Sequence, residues 1–273
     1  MMSYGNSDDP IVDRLDLARA IAREAGRLTL EHFQKEDLEI ERKEDASPVT
    51  VADRVAEQHL RRRILAEFPQ DGIVGEEFGE TKGASDFRWV LDPIDGTKSF
   101  IHGVPLYTTL VGVEYDDRSV AGVIYAPATD EMVYAALGYG SWYIHKNQPP
   151  RQARVSTVKS LAESCLLTSE VANFTRCRDV DAMDTYLQLQ NTARIARTWG
   201  DAYGYMMVAV GRAEVMIDPV MNLWDAAAIQ PILEEAGGTF TDWTGTATTQ
   251  SGEGIGTNGW VLDEVLALTR PLA

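Results

Sequence analysis

Asp92 and Asp95 stand three residues apart in the stretch WVLDPIDGTKSF, Trp89 to Phe100, and they are the residues best suited to chemistry in this chain. The apolar run Trp89, Val90 and Leu91 reads as the end of a buried strand that stops at Asp92. Pro93 fixes its own φ and offers no N–H, so the pattern predicts a turn that pushes both carboxylates toward one concave side. Two acids held so close need a cation between them, and hard oxygen ligands of this kind suit magnesium. Gly96 lets the backbone approach a ligand, and Thr97, Lys98 and Ser99 open a short helix whose first N–H groups suit a phosphate. A plainer reading is that Asp92 starts a turn and Asp95 caps the next helix, which aspartate does routinely.

Other acids follow the same pattern of standing at the end of an element. Glu76 and Glu77 follow the apolar pair of DGIVG, Asp71 to Gly75, and adjacent side chains at a strand end point to opposite sides, so only one can face Asp92. Asp218 closes a strand from Glu214, and Asp225 lies in the first turn of a helix, where an acid also complements the helix dipole. Asp53 opens the helix VADRVAEQHLRRRILAEF and invites the same dipole explanation.

DPIDGT, together with GEEFGE at Gly75 to Glu80 and WDAAA at Trp224 to Ala228, resembles the signature set of the inositol monophosphatase family of magnesium-dependent phosphatases. The matches run in the family's order over nearly the whole chain. The resemblance implies two or three Mg2+ ions, one held by Glu76, Asp92 and the Ile94 carbonyl and another by Asp92, Asp95 and Asp225. It also implies a phosphate seated on Asp95, Gly96 and Thr97, and a water oriented by Glu76 and by a hydrogen-bonded pair of Asp53 and Thr97. A threonine hydroxyl is too weak a base alone, so the carboxylate partner is what the chemistry requires. The polar loop Lys43 to Thr50 resembles the family's flap, to which Lys43 could contribute.

The alcohol would be read by Gly200, Asp201, Ala202 and Asp218. Inositol-type members commonly carry a small or hydroxyl residue where Asp201 stands and a glutamate at Asp218. A second carboxylate at the cleft mouth suits a cationic alcohol, because a charge-assisted bond to an ammonium is stronger than one to a hydroxyl. The phrases TWGDAYGY, DPVMNLWDAAAIQPILEEAGG and DGTKSFIHGVPLY look like the histidinol-phosphate phosphatase branch of the family, which implies hydrolysis of L-histidinol phosphate. An inositol or broad sugar monophosphatase would use the same cation site, and Asp201 could instead be a solvent-facing helix cap.

The elements that must position these groups follow from periodicity. Pro10 to Gln34 repeats apolar residues at helical spacing, and Leu38 to Glu41 reads as a short strand. Tyr107 to Glu114 and Val120 to Tyr125 flank Asp116 and Asp117 as a hairpin, and Glu131 to Ala136 and Gly140 to Ile144 add strands. Glu80 to Asp86 reads as a surface loop. Lys146 to Val155, with Pro149 and Pro150, marks a passage between an N-terminal half, 1–148, and a C-terminal half, 149–273, that closes the site. Cys165 to Thr168 is a strand, Val180 to Gln190 a helix, and Gly200 starts another whose first amides are free for a substrate. Trp224 to Gly238 reads as one helix bent at Pro231. The expected fold is an α/β (α+β) layered sandwich of alternating helix and sheet layers, like inositol monophosphatase and fructose bisphosphatase.

Composition bounds the partners. A chain of 273 residues with a formal net charge of -17 disfavours nucleic acid and anionic membrane surfaces, and phosphate reaches so acidic a protein only across bound cations. Two cysteines, Cys165 and Cys177, without metal-ligand spacing read as free thiols in a reducing cytoplasm, and the N-terminus has no signal-peptide pattern. The expected partner is a small phosphate monoester, and the resemblance adds a homodimer.

Overall fold

The computed structural model describes residues 9–35, 40–42, 48–176 and 181–270. Lys43, Cys177, and the first residues of the strand expected from Leu38 and of the helix expected from Val180 lie outside them. Chain order begins with α1 (Pro10–Leu30), β1 (Ile40–Arg42), β2 (Pro48–Thr50), α2 (Val51–Glu67), β3 (Gly72–Gly75), β4 (Gly79–Thr81), β5 (Phe87–Asp95) and α3 (Thr97–Ile101). The strands β6 (Thr108–Tyr115), β7 (Arg118–Ala126), β8 (Glu131–Ala136), β9 (Ser141–His145) and β10 (Arg151–Gln152) then complete a mixed sheet ordered β10-β9-β8-β7-β6-β5-β3-β4. After it come β11 (Cys165–Leu167), α4 (Asn173–Arg176), α5 (Met183–Thr192), β12 (Ile195–Arg197), α6 (Ala202–Ala209) and β13 (Val215–Asp218). The chain ends with α7 (Leu223–Ala226), α8 (Ile229–Glu235), β14 (Thr239–Thr241), β15 (Gly254–Thr257) and α9 (Leu262–Thr269), the second sheet being ordered β12-β11-β13-β15-β14.

Five layers alternate. Leu17, Ala18, Ile21, Ala22 and Ala25 recur along one face of α1 and pack with Leu60 and Ile64 of α2 onto Val111, Val113, Val123 and Tyr125 of the first sheet. The other face of that sheet, with Leu110, Ile124 and Val133, meets Met206 of α6 and Ile229, Ile232 and Leu233 of α8. Those helices in turn lie on Leu167, Met216 and Phe240 of the second sheet. Its far side carries Leu166, Val215 and Ile217 against Tyr186 and Leu189 of α5 and Val265 of α9. Because β6 and β7 are covered on both faces, they read as apolar runs and not as alternating strands.

Asp71 ties α1 into this stack. Its carboxylate accepts from Arg14 Nε at 2.7 Å, Trp89 Nε1 at 2.9 Å and Ser85 Oγ at 2.6 Å, all in the body of the protein. The joint between α7 and α8 comes close to the first sheet for a different reason. Gly122 stands opposite Gly112 on adjacent strands, and a Cβ on Gly122 would sit 2.1 Å from the Ala228 carbonyl oxygen. The absence of a side chain there lets Asp225, three residues earlier, reach β5 from the far end of the chain.

Three local expectations are corrected. The strand of Trp89 does not stop at Asp92 but runs to Asp95 through a shift in register: Asp92 pairs with Leu110 and Asp95 with Thr108, three steps on one strand against two on the other. Pro93, which has no N–H to give the ladder, sits inside that bulge, and its carbonyl accepts from Thr109 Oγ1 at 2.9 Å. Trp224 to Gly238 is two helices and not one bent helix: Ala227 and Ala228 keep helical backbone angles, but Pro231 has no N–H to give the Ala227 carbonyl, and the helical ladder is interrupted there. Glu80 and Thr81, expected in a loop, belong to the edge strand β4, where Ile73 pairs with Thr81 and Val74 with Glu80.

Candidate active site

A cavity of about 370 Å³ opens between the two sheets' ends and is lined by Glu76, Asp92, Asp95, Thr97, Asp201 and Asp225, among others. Its floor is the bulge of β5. One carboxylate oxygen from each of Asp92, Asp95 and Asp225 lies within 4.8 Å of the other two, from segments 130 residues apart in sequence. Glu76 lies outside that trio but faces it, and its carboxyl is close enough to that of Asp92 to make a side-chain hydrogen bond. Glu77 also lies in the β3–β4 turn, where its N–H is taken by Glu57 Oε2 at 2.7 Å. The two glutamates therefore occupy a tight turn, not the strand end expected for them.

Two of the floor acids are steadied through part of the carboxylate. Asp95 Oδ2 accepts from Thr108 Oγ1 at 2.9 Å and from the Ala202 N–H, the first of α6, at 2.7 Å. Asp225 Oδ2 accepts from the Asn222 N–H at 2.6 Å and closes the capping box that starts α7. Asp92 Oδ1 is buried without any hydrogen-bond partner. A buried, unpartnered carboxylate oxygen is costly unless a cation meets it, so this donor set fits a divalent metal. Burial first, then the charges of Glu76, Asp95 and Asp225, hold the Asp92 carboxyl well above the ordinary aspartate range. Burial and then Asp201 and Asp225 do the same to Asp95, and burial raises Asp225 to about 7.

The walls differ from expectation in two places. Asp53 serves the cap of α2: its Oδ2 accepts from Thr50 N at 2.8 Å and Thr50 Oγ1 at 2.6 Å. Thr97 Oγ1 donates to the Ile94 carbonyl at 3.1 Å, so the expected Asp53–Thr97 hydrogen bond is not made. Asp53 thus closes the capping box of α2, beside the dipole role expected for an acid there, while its Oδ1 is buried without a hydrogen-bond partner. The Ile94 carbonyl, expected as a metal ligand, accepts that one hydrogen bond from Thr97 and keeps a second lone pair that a cation could meet. The expectation that amides at Gly200 to Ala202 stay free also fails at Ala202, whose N–H goes to Asp95.

The rim is acidic but balanced. Asp201 stands at the start of α6 without capping it, its Oδ2 2.9 Å from where a Cβ on Gly96 would be, so Gly96, at φ +81°, leaves room for it. Burial raises the Asp201 pKa, while Lys98 opposes that shift. Lys98 in turn pairs with Glu170 across the mouth. Asp218 Oδ1 accepts from Ser169 Oγ at 2.6 Å and Ser169 N at 3.2 Å, and burial raises its pKa to about 7. Gly200 packs on Ser169, its added Cβ falling 2.6 Å from Ser169 Cα.

Ser169, Glu170, Asn173 and Asn222 line the cavity and were not singled out from the sequence. For Asn222 a signal existed, since Asn followed three residues later by Asp is a capping-box pattern. Ser169 and Glu170 carry no such signal; the parallel pairing of β11 with β13 is what sets them beside Asp218.

Comparison with known proteins agrees with this arrangement. The chain is 43% identical over 241 residues to a histidinol-phosphatase from Chlorobaculum parvum, covering 88% of this chain and 90% of that protein. It is 36% identical to a histidinol-phosphatase from Mycobacterium tuberculosis, covering 93% and 96% of the two chains. The solved structure of an inositol monophosphatase from Zymomonas mobilis superposes with a TM-score of 0.83 at 28% identity, covering 96% of this chain and 99% of that one. Residues 12–271 match the inositol monophosphatase family, and the chain belongs to that family.

Proposed function

We propose that the protein is a magnesium-dependent phosphomonoesterase that hydrolyses L-histidinol phosphate to L-histidinol and phosphate, in histidine biosynthesis in the cytoplasm. The observation that carries the reading is the convergence of Asp92, Asp95 and Asp225 around an unpartnered buried oxygen, with a second carboxylate group at the rim. Glu76 and Asp92, with the Ile94 carbonyl, would hold one Mg2+, and Asp92, Asp95 and Asp225 another; a third is compatible with the acid count. Bound there, the ions would draw charge from the phosphoryl oxygens, acidify water and offset charge on the leaving alkoxide.

The chain's own groups do the positioning. The first N–H groups of α3 at Gly96 and Thr97, with Asp95 beside them, face the phosphate. Glu76 and the Thr97 hydroxyl orient the attacking water. Its oxygen bonds to phosphorus as the P–O bond to the alcohol breaks, and the proton the water gives up is the one the departing alkoxide takes to leave as the alcohol. Asp53 contributes by fixing the start of α2. Asp201 and Asp218 face the alcohol, with Gly200 and Ala202 shaping the wall, and a cationic amine gains a charge-assisted partner at Asp201 that a polyol would not use.

The relatives from Chlorobaculum parvum and Mycobacterium tuberculosis support histidinol phosphate over inositol phosphate as the substrate. The two halves, 1–148 and 149–273, act as one catalytic unit, and a homodimer of the 30.2 kDa chain is the proposed assembly, checked by mass in solution scattering. Phosphate release measured on L-histidinol phosphate and inositol 1-phosphate, with Mg2+ and with chelator, tests the whole. Fast, Mg2+-dependent release from histidinol phosphate is expected, and faster release from inositol 1-phosphate would overturn the substrate.

A further inference from the structure

Glu57 on α2 is a fully buried carboxylate that the chemistry above leaves without a role. It lies beneath the β3–β4 turn that carries Glu76. Its Oε2 accepts the Glu77 N–H at 2.7 Å, and its Oε1 accepts the Phe78 N–H at 3.3 Å and Arg61 Nε at 2.7 Å. Arg61, one helical turn on, donates to the Gly79 carbonyl at the far end of the turn and to Thr81 Oγ1 at 3.2 Å. The Glu76 N–H itself goes to the Leu91 carbonyl at 3.2 Å, one residue before Asp92. Every backbone donor from Glu76 to Phe78 is thereby tied either to β5 or to Glu57.

The space for this clamp exists because residue 75 has no side chain. A Cβ on Gly75 would fall 2.1 Å from Glu57 Oε1 and 2.9 Å from an Arg61 guanidinium nitrogen. The clamp holds a demanding arrangement, since it keeps the Glu76 carboxyl face to face with a second, buried acid, Asp92. A half-buried Glu76 on a free three-residue turn would relax toward solvent.

We infer that Glu57, locked by Arg61, is a positioning residue for the cation site: it holds the Gly75–Gly79 turn so that the Glu76 carboxylate stays aimed at Asp92. The inference rests on the proposal that Glu76 is a cation ligand. Groups that orient a metal ligand from behind commonly matter for affinity about as much as the outer partners of a ligating histidine do.

The test is a Mn2+ binding titration on the full chain, with the metal-free melting temperature of each variant and the dependence of kcat on cation concentration. Glu57→Gln puts an NH2 group against one of the donors the carboxylate now accepts, and Gly75→Ala displaces the carboxylate without removing it. Both are expected to weaken Mn2+ binding by about 10-fold, with kcat recovered at excess cation. Glu76→Gln should weaken binding at least as much. If Glu57→Gln does not fold, Arg61→Lys, which keeps the charge and shortens the reach to Gly79, is expected to show a smaller shift of the same kind. Wild-type Mn2+ affinity in the clamp variants, with lowered melting temperature alone, would overturn the inference while Glu76→Gln still binds weakly. Wild-type affinity in Glu76→Gln would instead overturn the reading of Glu76 on which it rests.

Discussion

The floor and the rim of the cavity are both built from aspartates, yet the protein treats them differently. On the floor, Asp95 and Asp225 each commit Oδ2 to fixed donors, and Asp92 Oδ1 is left buried with none. On the rim, Asp218 Oδ1 takes two hydrogen bonds from Ser169, and Asp201 has Lys98 nearby, itself paired with Glu170. On the proposed function, the frustrated floor would hold cations and the rim would read the alcohol that enters. The chemistry should therefore be common to any phosphate ester, and the selectivity should belong to the rim alone.

The sharpest way to break that contrast is on the floor. Asp92→Asn is expected to lower kcat on every phosphomonoester by about 10²–10³-fold, the scale of losing one main electrostatic element of a site. Because it replaces a buried carboxyl whose Oδ1 has no partner, the metal-free variant should melt no lower than the wild type, which differential scanning calorimetry would read. A drop in melting temperature would mean that Asp92 is already satisfied by the protein.

On the rim, Asp201→Ala is expected to raise KM for histidinol phosphate by about 10-fold, the scale of one charge-assisted hydrogen bond, and to leave a simple aryl phosphate nearly unchanged. Equal loss on both substrates would erase the division between floor and rim.

Protons offer a third probe. Burial raises Asp218, and also Asp53, to about 7, well above the 3.8 of a free side chain. Between those limits the folded chain binds more protons than the unfolded one, so stability is greatest at low pH and is lost as pH rises toward 7. The metal-free protein should accordingly melt at a higher temperature at pH 5 than at pH 8, and Asp218→Asn should flatten that slope. A rising profile would contradict it.

The smallest effect is expected at the mouth. Lys98 and Glu170 form an exposed pair, with side chains 66% and 37% accessible, and such pairs contribute little. Glu170→Gln should change unfolding free energy by no more than about 0.5 kcal/mol and shift KM less than Asp201→Ala does. A larger shift would make Glu170 part of the reading device.

Much of the floor was legible in the sequence. An apolar strand running into Asp-Pro-Ile-Asp-Gly-Thr points to two acids on one concave side, where the structure gathers them with Asp225, and the layered fold follows from helices and apolar strands in alternation. Asp225 was legible only by resemblance, because its arrival depends on two opposed glycines, Gly112 and Gly122, that carry no pattern of their own. The Asp53–Thr97 bond implied by the resemblance is not made: Asp53 Oδ2 joins a local capping box and Thr97 donates to the Ile94 carbonyl. Pro93 and Pro231 were recognised as breakers but not as a bulge and a helix boundary, since proline fixes its own backbone and says little about what its neighbours do next. Ser169 and Glu170 could not be found from spacing, because strand pairing brings them to Asp218 across 48 to 49 residues.

The central claim is that distant acids gather to hold divalent ions. Anomalous scattering from crystals loaded with Mn2+ tests it most directly. Strong peaks bounded by Asp92, Asp95 and Asp225, with Glu76 completing one of them, are the predicted result. Peaks elsewhere, or none at saturating Mn2+, would contradict it.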